Sequence, residues 1–214
     1  MFQNCESLCE IDFSNFDTSK VTTMAGLFFE WISLYSLDLS NFNTSQVINM
    51  EMMFFGLHYL EEIDLSYLDT PNVEKMDFMF ATSFSFTYLD LSTLYTSKVK
   101  SMTGLFYLSE GLFSINMKNI DISSVTDLGF MFFGCTSLIS LELSNLNTSN
   151  VIYMNDMFNF CVSLKKINLI GFDTSNVFDM SYLFFECYSL ESLDLASLIF
   201  FKLIEIVALK NVIP

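Results

Sequence analysis

Seven valines stand 26 residues apart with no insertion between them: Val21, Val47, Val73, Val99, Val125, Val151 and Val177. No other feature limits the fold so tightly. Three residues after each valine comes Met24, Met50, Met76, Met102, Leu128, Met154 or Met180, and seven after it a phenylalanine, from Phe28 to Phe184. A paired column recurs as Leu37 and Leu39, Ile63 and Leu65, Leu89 and Leu91, Ile115 and Met117, Leu141 and Leu143, Ile167 and Leu169, Leu193 and Leu195. A chain of 214 residues would ordinarily make one or two globular domains. A fixed-length repeat without linkers instead makes one continuous stack, because each unit is too short to bury its apolar face alone. The 52% apolar content serves those stacked columns. It does not describe a membrane span, since charges or amides interrupt every unit and no uncharged apolar run reaches the ~18 residues a bilayer requires.

Within one unit the period changes. "SLDLSN" alternates apolar and polar residues, which predicts a short strand with its leucines inward and its Asp outward. After the turn-like "SNFNTS", apolar residues fall at Val47, Met50 and Phe54, the spacing of one helix face. The Thr-Ser pairs before the valines (Thr18-Ser19, Thr44-Ser45, Thr148-Ser149, Thr174-Ser175) suit the cap of a helical turn. Gly56 and Gly134 suit a left-handed cap after it. The expectation is an α/β repeat of the leucine-rich-repeat type, a solenoid with one short strand and one short helical turn per 26-residue coil and about seven coils. A flatter β-solenoid is the alternative. The array is expected over 1–197, followed by an apolar cap or tail over 198–214 whose regular spacing has dissolved.

The phrase "LSNFDTS" followed by the valine, methionine, Met-Phe, Cys, Ser-Leu and "LDL" columns resembles the 26-residue repeat of BspA-like leucine-rich-repeat surface proteins, first noted in mycoplasma lipoproteins. The resemblance runs from about Phe2 to Leu195. It implies a non-enzymatic protein-binding or adhesive module at the cell surface, whose partner is an extracellular, host or matrix protein, with no cofactor. An intracellular interaction scaffold is the alternative. One departure concerns the asparagine of conventional leucine-rich repeats, expected three residues after the second strand leucine. Phe42 or Leu146 stands there, and the asparagines (Asn15, Asn41, Asn119, Asn145) come one residue earlier. Curvature therefore does not carry over.

"MFQNCESLCEIDFSNFDTS" aligns with "MFFGCTSLISLELSNLNTS", so Met1 shares an internal column with Met53, Met79, Met131 and Met157. The start is expected to cut through a unit of a longer array. The chain as given contains no secretory signal pattern.

The candidate contact residues are the outward strand positions: Asp12, Asp38, Asp64, Asp90, Glu142 and Asp194, with Asn116 and Asn168 between. Stacked strands bring such neighbours to roughly 4.8 Å. Two charges there repel by about 1 kcal/mol in water and about 3.5 kcal/mol at an effective dielectric of ~20. Relief is expected from solvent and raised pKa values, from hydrogen bonds to flanking Ser and Asn, from cations such as Ca2+, or from a basic partner. A regular ladder is a poor Ca2+ cage, however, because it does not wrap oxygens around one ion. The net charge of −16 and nine scattered basic residues exclude the usual electrostatic route to nucleic acid. Cys5, Cys135, Cys161 and Cys187 share one column, while Cys9 stands apart; inward thiols acting as small apolar fillers are expected, not zinc ligands. His58, the only histidine, has no accompanying nucleophile motif, and Trp31 is expected to fill the core or its edge. No catalytic or metal site is expected.

Overall fold

The computed structural model describes residues 11–144 and 146–193. Expectations for Cys5, Cys9, Asn145, Asp194 and segment 198–214 lie outside them. The strand half of the unit forms as its alternation requires. Strands β1 (Tyr88–Asp90), β2 (Ser114–Asn116), β3 (Ser140–Glu142) and β4 (Lys166–Asn168) are each three residues long. β1 pairs with β2 and β3 with β4, both in parallel, and every rung joins residues one repeat apart, such as Leu89 with Ile115 and Leu141 with Ile167.

The expected helical turn is absent: among the described residues there is no α-helix, only a 3-10 helix at Leu65–Tyr67. The segment after each valine is a run of tight turns. In one unit the N–H groups of Leu27, Phe29 and Trp31 donate to carbonyls three residues back, whereas those of Met24, Gly26, Phe28 and Glu30 donate to Asn49, Glu51, Met53 and Phe55 of the next unit. An α-helix would have sent these N–H groups to carbonyls four residues back. A row of parallel bridges accompanies the turns, from Thr23 through Asn49, Lys75, Ser101, Asp127 and Tyr153 to Asp179. Turns closing every three to four residues place inward side chains at the same i, i+3, i+7 spacing as a helix, so side-chain periodicity alone does not separate the two.

The turns need left-handed backbone at two columns, five and nine residues after each valine. Gly26 and Gly104 occupy the first, and Gly56 and Gly134 the second, where glycine carries no steric penalty. In the remaining units Met52, Phe78, Phe130, Asp156 and Tyr182, or Glu30, Thr82, Leu108, Phe160 and Glu186, take positive φ. Each costs on the order of 1–3 kcal/mol unless its surroundings enforce it. The hydrogen bonds to the adjacent unit supply that enforcement. Gly56 and Gly134 thus have the expected left-handed conformation, but no helix for it to cap.

The Thr-Ser pair is likewise reassigned. Thr18, Thr44, Thr70, Thr96, Thr148 and Thr174 are buried. Thr96 Oγ1 donates to the Asp121 carbonyl at 2.8 Å and accepts the Asp121 N–H at 2.8 Å. Thr18, Thr44, Thr70 and Thr148 bracket the next unit in the same way. Ile122 interrupts the column.

Between these two stitched sides lies one elongated core. The rings of Phe28, Phe54, Phe80, Phe106, Phe132, Phe158 and Phe184 stack with centroids 5.3–5.9 Å apart and planes within 20° of parallel, within the range of favourable offset stacking. Trp31 is fully buried beside Phe28. Where the leucine-rich-repeat asparagine would point inward, Phe42, Leu68, Leu94, Ile120, Leu146 and Phe172 form a buried apolar column instead.

Candidate binding face

The outward strand positions project where the alternation places them. Asp12, Asp38, Asp64 and Glu142 are exposed and Asp90 is half-buried. Each carboxylate folds back on its own chain and accepts the backbone N–H two residues on: Ser14, Ser40, Ser66, Ser92 and Ser144 respectively. These are Asx-type turns, which fix a side chain in place on an open surface. The carboxyl pKa values lie below the ordinary range. For Asp12 and Asp38 the serine N–H is the chief cause and the serine hydroxyl the second; for Asp64 and Asp90 the hydroxyl leads. At Glu142 the Ser144 hydroxyl and then the Asn168 amide dominate. Of the forms of relief open to the ladder, hydrogen bonds to flanking Ser and Asn are present, and these carboxyls are shifted down, not up.

A second acidic column escapes a reading of the strand alone. Asp17, Asp121 and Asp173 repeat the arrangement, accepting from the N–H groups of Ser19, Ser123 and Ser175, and their carboxyls are likewise held low by those serines. Asn43 and Asn147 stand in for them in other units. The signal was present as the Asp or Asn of the "FDTS" and "FNTS" phrases, five residues past each ladder position. The strand face thus carries two acidic rows, in which Asp12, Asp38, Asp64, Asp90, Glu142, Asp17, Asp121 and Asp173 are each pinned by their own turn.

The outward ladder is continuous in sequence but not in pairing. Asn116 Nδ2 donates to Asp90 at 3.0 Å, and Asn168 Nδ2 donates to Glu142 at 3.0 Å. These are the rungs of the two paired sheets, β1 with β2 and β3 with β4. Where carboxylate follows carboxylate, at Asp38, Asp64 and Asp90, no strand pairing joins neighbouring units. Like charges directly opposite destabilise a rung, while an amide between them neutralises it.

Cys135, Cys161 and Cys187 are buried and unbridged, and their thiols donate to the carbonyls of Phe106, Phe132 and Phe158 in the preceding unit. Ser83 and Ser109 hold the same column and donate in the same way to Phe54 and Phe80. These thiols therefore add a hydrogen bond to the filling role expected of them. Burial pushes all three thiols up, Cys187 to about 12. His58 is half-buried, with its ring 4.6 Å from that of Phe84. Among the described residues no three His, Cys, Asp or Glu side chains converge as metal ligands, and no helix is long and apolar enough to cross a membrane.

A family model described as "Mycoplasma protein of unknown function, DUF285" matches residues 1–112 and again 106–198. The chain belongs to this family. It is the mycoplasma repeat family that the 26-residue phrase resembles. A solved structure, a leucine-rich repeat protein from Bacteroides ovatus, is similar at 21% identity over 88% of this chain and 67% of its own, with a TM-score of 0.31. Among curated proteins, none matches. Membership makes the chain a repeat protein of the BspA-like, leucine-rich-repeat type.

Proposed function

We propose that the chain is a stretch of leucine-rich-repeat-type solenoid working as a non-enzymatic protein-binding module on a cell-surface protein, and that its acidic strand face is the contact surface. One observation carries this reading: Asp12, Asp38, Asp64, Asp90 and Glu142 are held in fixed orientations by their own turns. A preorganised row of carboxylates loses little further freedom when a basic surface docks on it, which favours both affinity and long-range steering. Family resemblance supports an extracellular, host or matrix protein as partner and the cell surface as location. Replacing Asp38, Asp64 and Asp90 together by Lys should abolish binding to cells or matrix protein while leaving the circular dichroism spectrum intact. Undiminished binding by the folded triple variant would refute the contact role of this face.

A further inference from the structure

A cleft of 640 Å³ lies between two successive units, lined by Tyr35, Ser36 and Leu37 on one side and by Glu61, Glu62, Ile63 and Asp64 on the other. These segments occupy the positions that β1 and β2, or β3 and β4, occupy further along, where the backbones bond directly. Here, among the described residues, no backbone hydrogen bond joins the two walls. The units nevertheless hold together on either side of the gap, through Glu30 N–H to the Phe55 carbonyl at 2.8 Å before it and through Thr44 Oγ1 to the Asp69 carbonyl at 2.7 Å after it. The opening is therefore confined to the strand face.

The two closed sheets and this cleft differ in what faces what across the stack. Each closed sheet sets an acid beside an asparagine, whereas Asp38 meets Asp64 with no amide between. Glu61 and Glu62 add two further exposed carboxylates to one wall.

We infer that this cleft receives one extended, lysine- or arginine-bearing segment of the partner protein, whose backbone supplies the missing strand hydrogen bonds and whose cations neutralise Asp38, Glu61, Glu62 and Asp64. The inference rests on the reading of the strand face as the contact surface and names the chemistry it takes. Strand addition draws affinity from main-chain bonds and specificity from alternate side chains, so an alternating basic and apolar segment fits both the walls and the partly buried Leu37 and Ile63. The cleft volume lies within the roughly 300–1,000 Å³ of ordinary ligand sites.

The test is fluorescence anisotropy with a labelled alternating Lys–Val peptide. Binding should weaken at least about tenfold, about 1.4 kcal/mol, when alternate peptide amides are N-methylated, and equally in the folded variant Glu61→Lys/Glu62→Lys. Reversing the distant Asp121 and Asp173 should change it little. Asp64→Asn supplies a rung like those at Asn116 and Asn168; it should close the gap, protect amides of segment 35–38 from exchange and expel the peptide. Equal binding of the N-methylated peptide, or equal loss on reversing Asp121 and Asp173, would reduce the site to diffuse charge and overturn the inference. If the peptide fails to bind while cell or matrix binding still depends on Asp38, Asp64 and Asp90, strand addition is wrong and the contact face stands. Loss of both dependences removes both readings.

Discussion

Single residues in this array are judged by what they do for the neighbouring unit. Thr96 shows this most directly, since its hydroxyl bonds both the N–H and the C=O of Asp121. Thr96→Val keeps the shape and removes two hydrogen bonds between adjacent units, each contributing about 0.5–1.5 kcal/mol. The expected result is lower stability and faster hydrogen exchange at the Asp121 amide, read by NMR or mass spectrometry. The acidic rows set the pH response. Folding lowers the pKa of Asp12, Asp38, Asp64 and Asp90 below the ordinary 3.8. Their contribution is therefore complete above that value and disappears as pH falls through the folded values beneath it. Asp77 has the opposite sign. Burial raises its pKa despite hydrogen bonds from the Ser101 hydroxyl and the Thr103 N–H, and the charges of Glu51 and Asp127 push the same way. Its ionised form is disfavoured in the fold, so Asp77→Asn, whose Oδ1 keeps both acceptor bonds, should raise the melting temperature at neutral pH. That gain should shrink as pH approaches the range where Asp77 is protonated; a variant less stable at neutral pH would contradict it.

The turn segment and the strand form by different rules. Left-handed backbone recurs in every unit of the turn side, and Gly104 is one place where it also leaves no room for a side chain. A Cβ there, at φ 58°, would lie 2.2 Å from the Phe78 ring. Gly104→Ala should destabilise by more than ~1 kcal/mol, the usual scale for an incompatible left-handed site, in urea denaturation; an unchanged midpoint would show that the ring moves freely aside. The stacked phenylalanines are the other structural element. Phe106 is fully buried between Phe80 and Phe132, and Phe106→Ala should cost about 3–5 kcal/mol by removing a ring from a packed interior. The strand side is weaker, because its three-residue strands close only where an amide separates the acids.

Taken as a whole, the molecule is held by contacts between adjacent repeats, so stability propagates along the stack and depends on every unit remaining docked. The buried thiols report on that docking. Cys135, Cys161 and Cys187 are buried with their pKa values raised, and thiolate is the reactive form. Site-resolved alkylation by iodoacetamide should be negligible at these three cysteines in the folded protein and rapid in urea. Labelling of Cys161 under native conditions would mean that units separate without global unfolding.

The 26-residue period, the inward columns, the alternation of the strand and the outward acidic ladder were all legible in the sequence, because each depends only on a residue's position within its unit. Fixed spacing makes every column line up whatever the backbone does. Tertiary structure decided where the hydrogen bonds go. Val47, Met50 and Phe54 satisfy a helix and a chain of stacked turns equally well. The choice was made by N–H groups such as those of Met50, Phe54 and Gly56 reaching carbonyls of the next unit, Lys75, Met79 and Ala81. The break in the strand face was hidden for a related reason. Whether an outward carboxylate meets another acid or an amide across the stack is a relation between units, and so is the backbone pairing that β1 makes with β2 and β3 with β4 but segments 35–37 and 61–64 do not make.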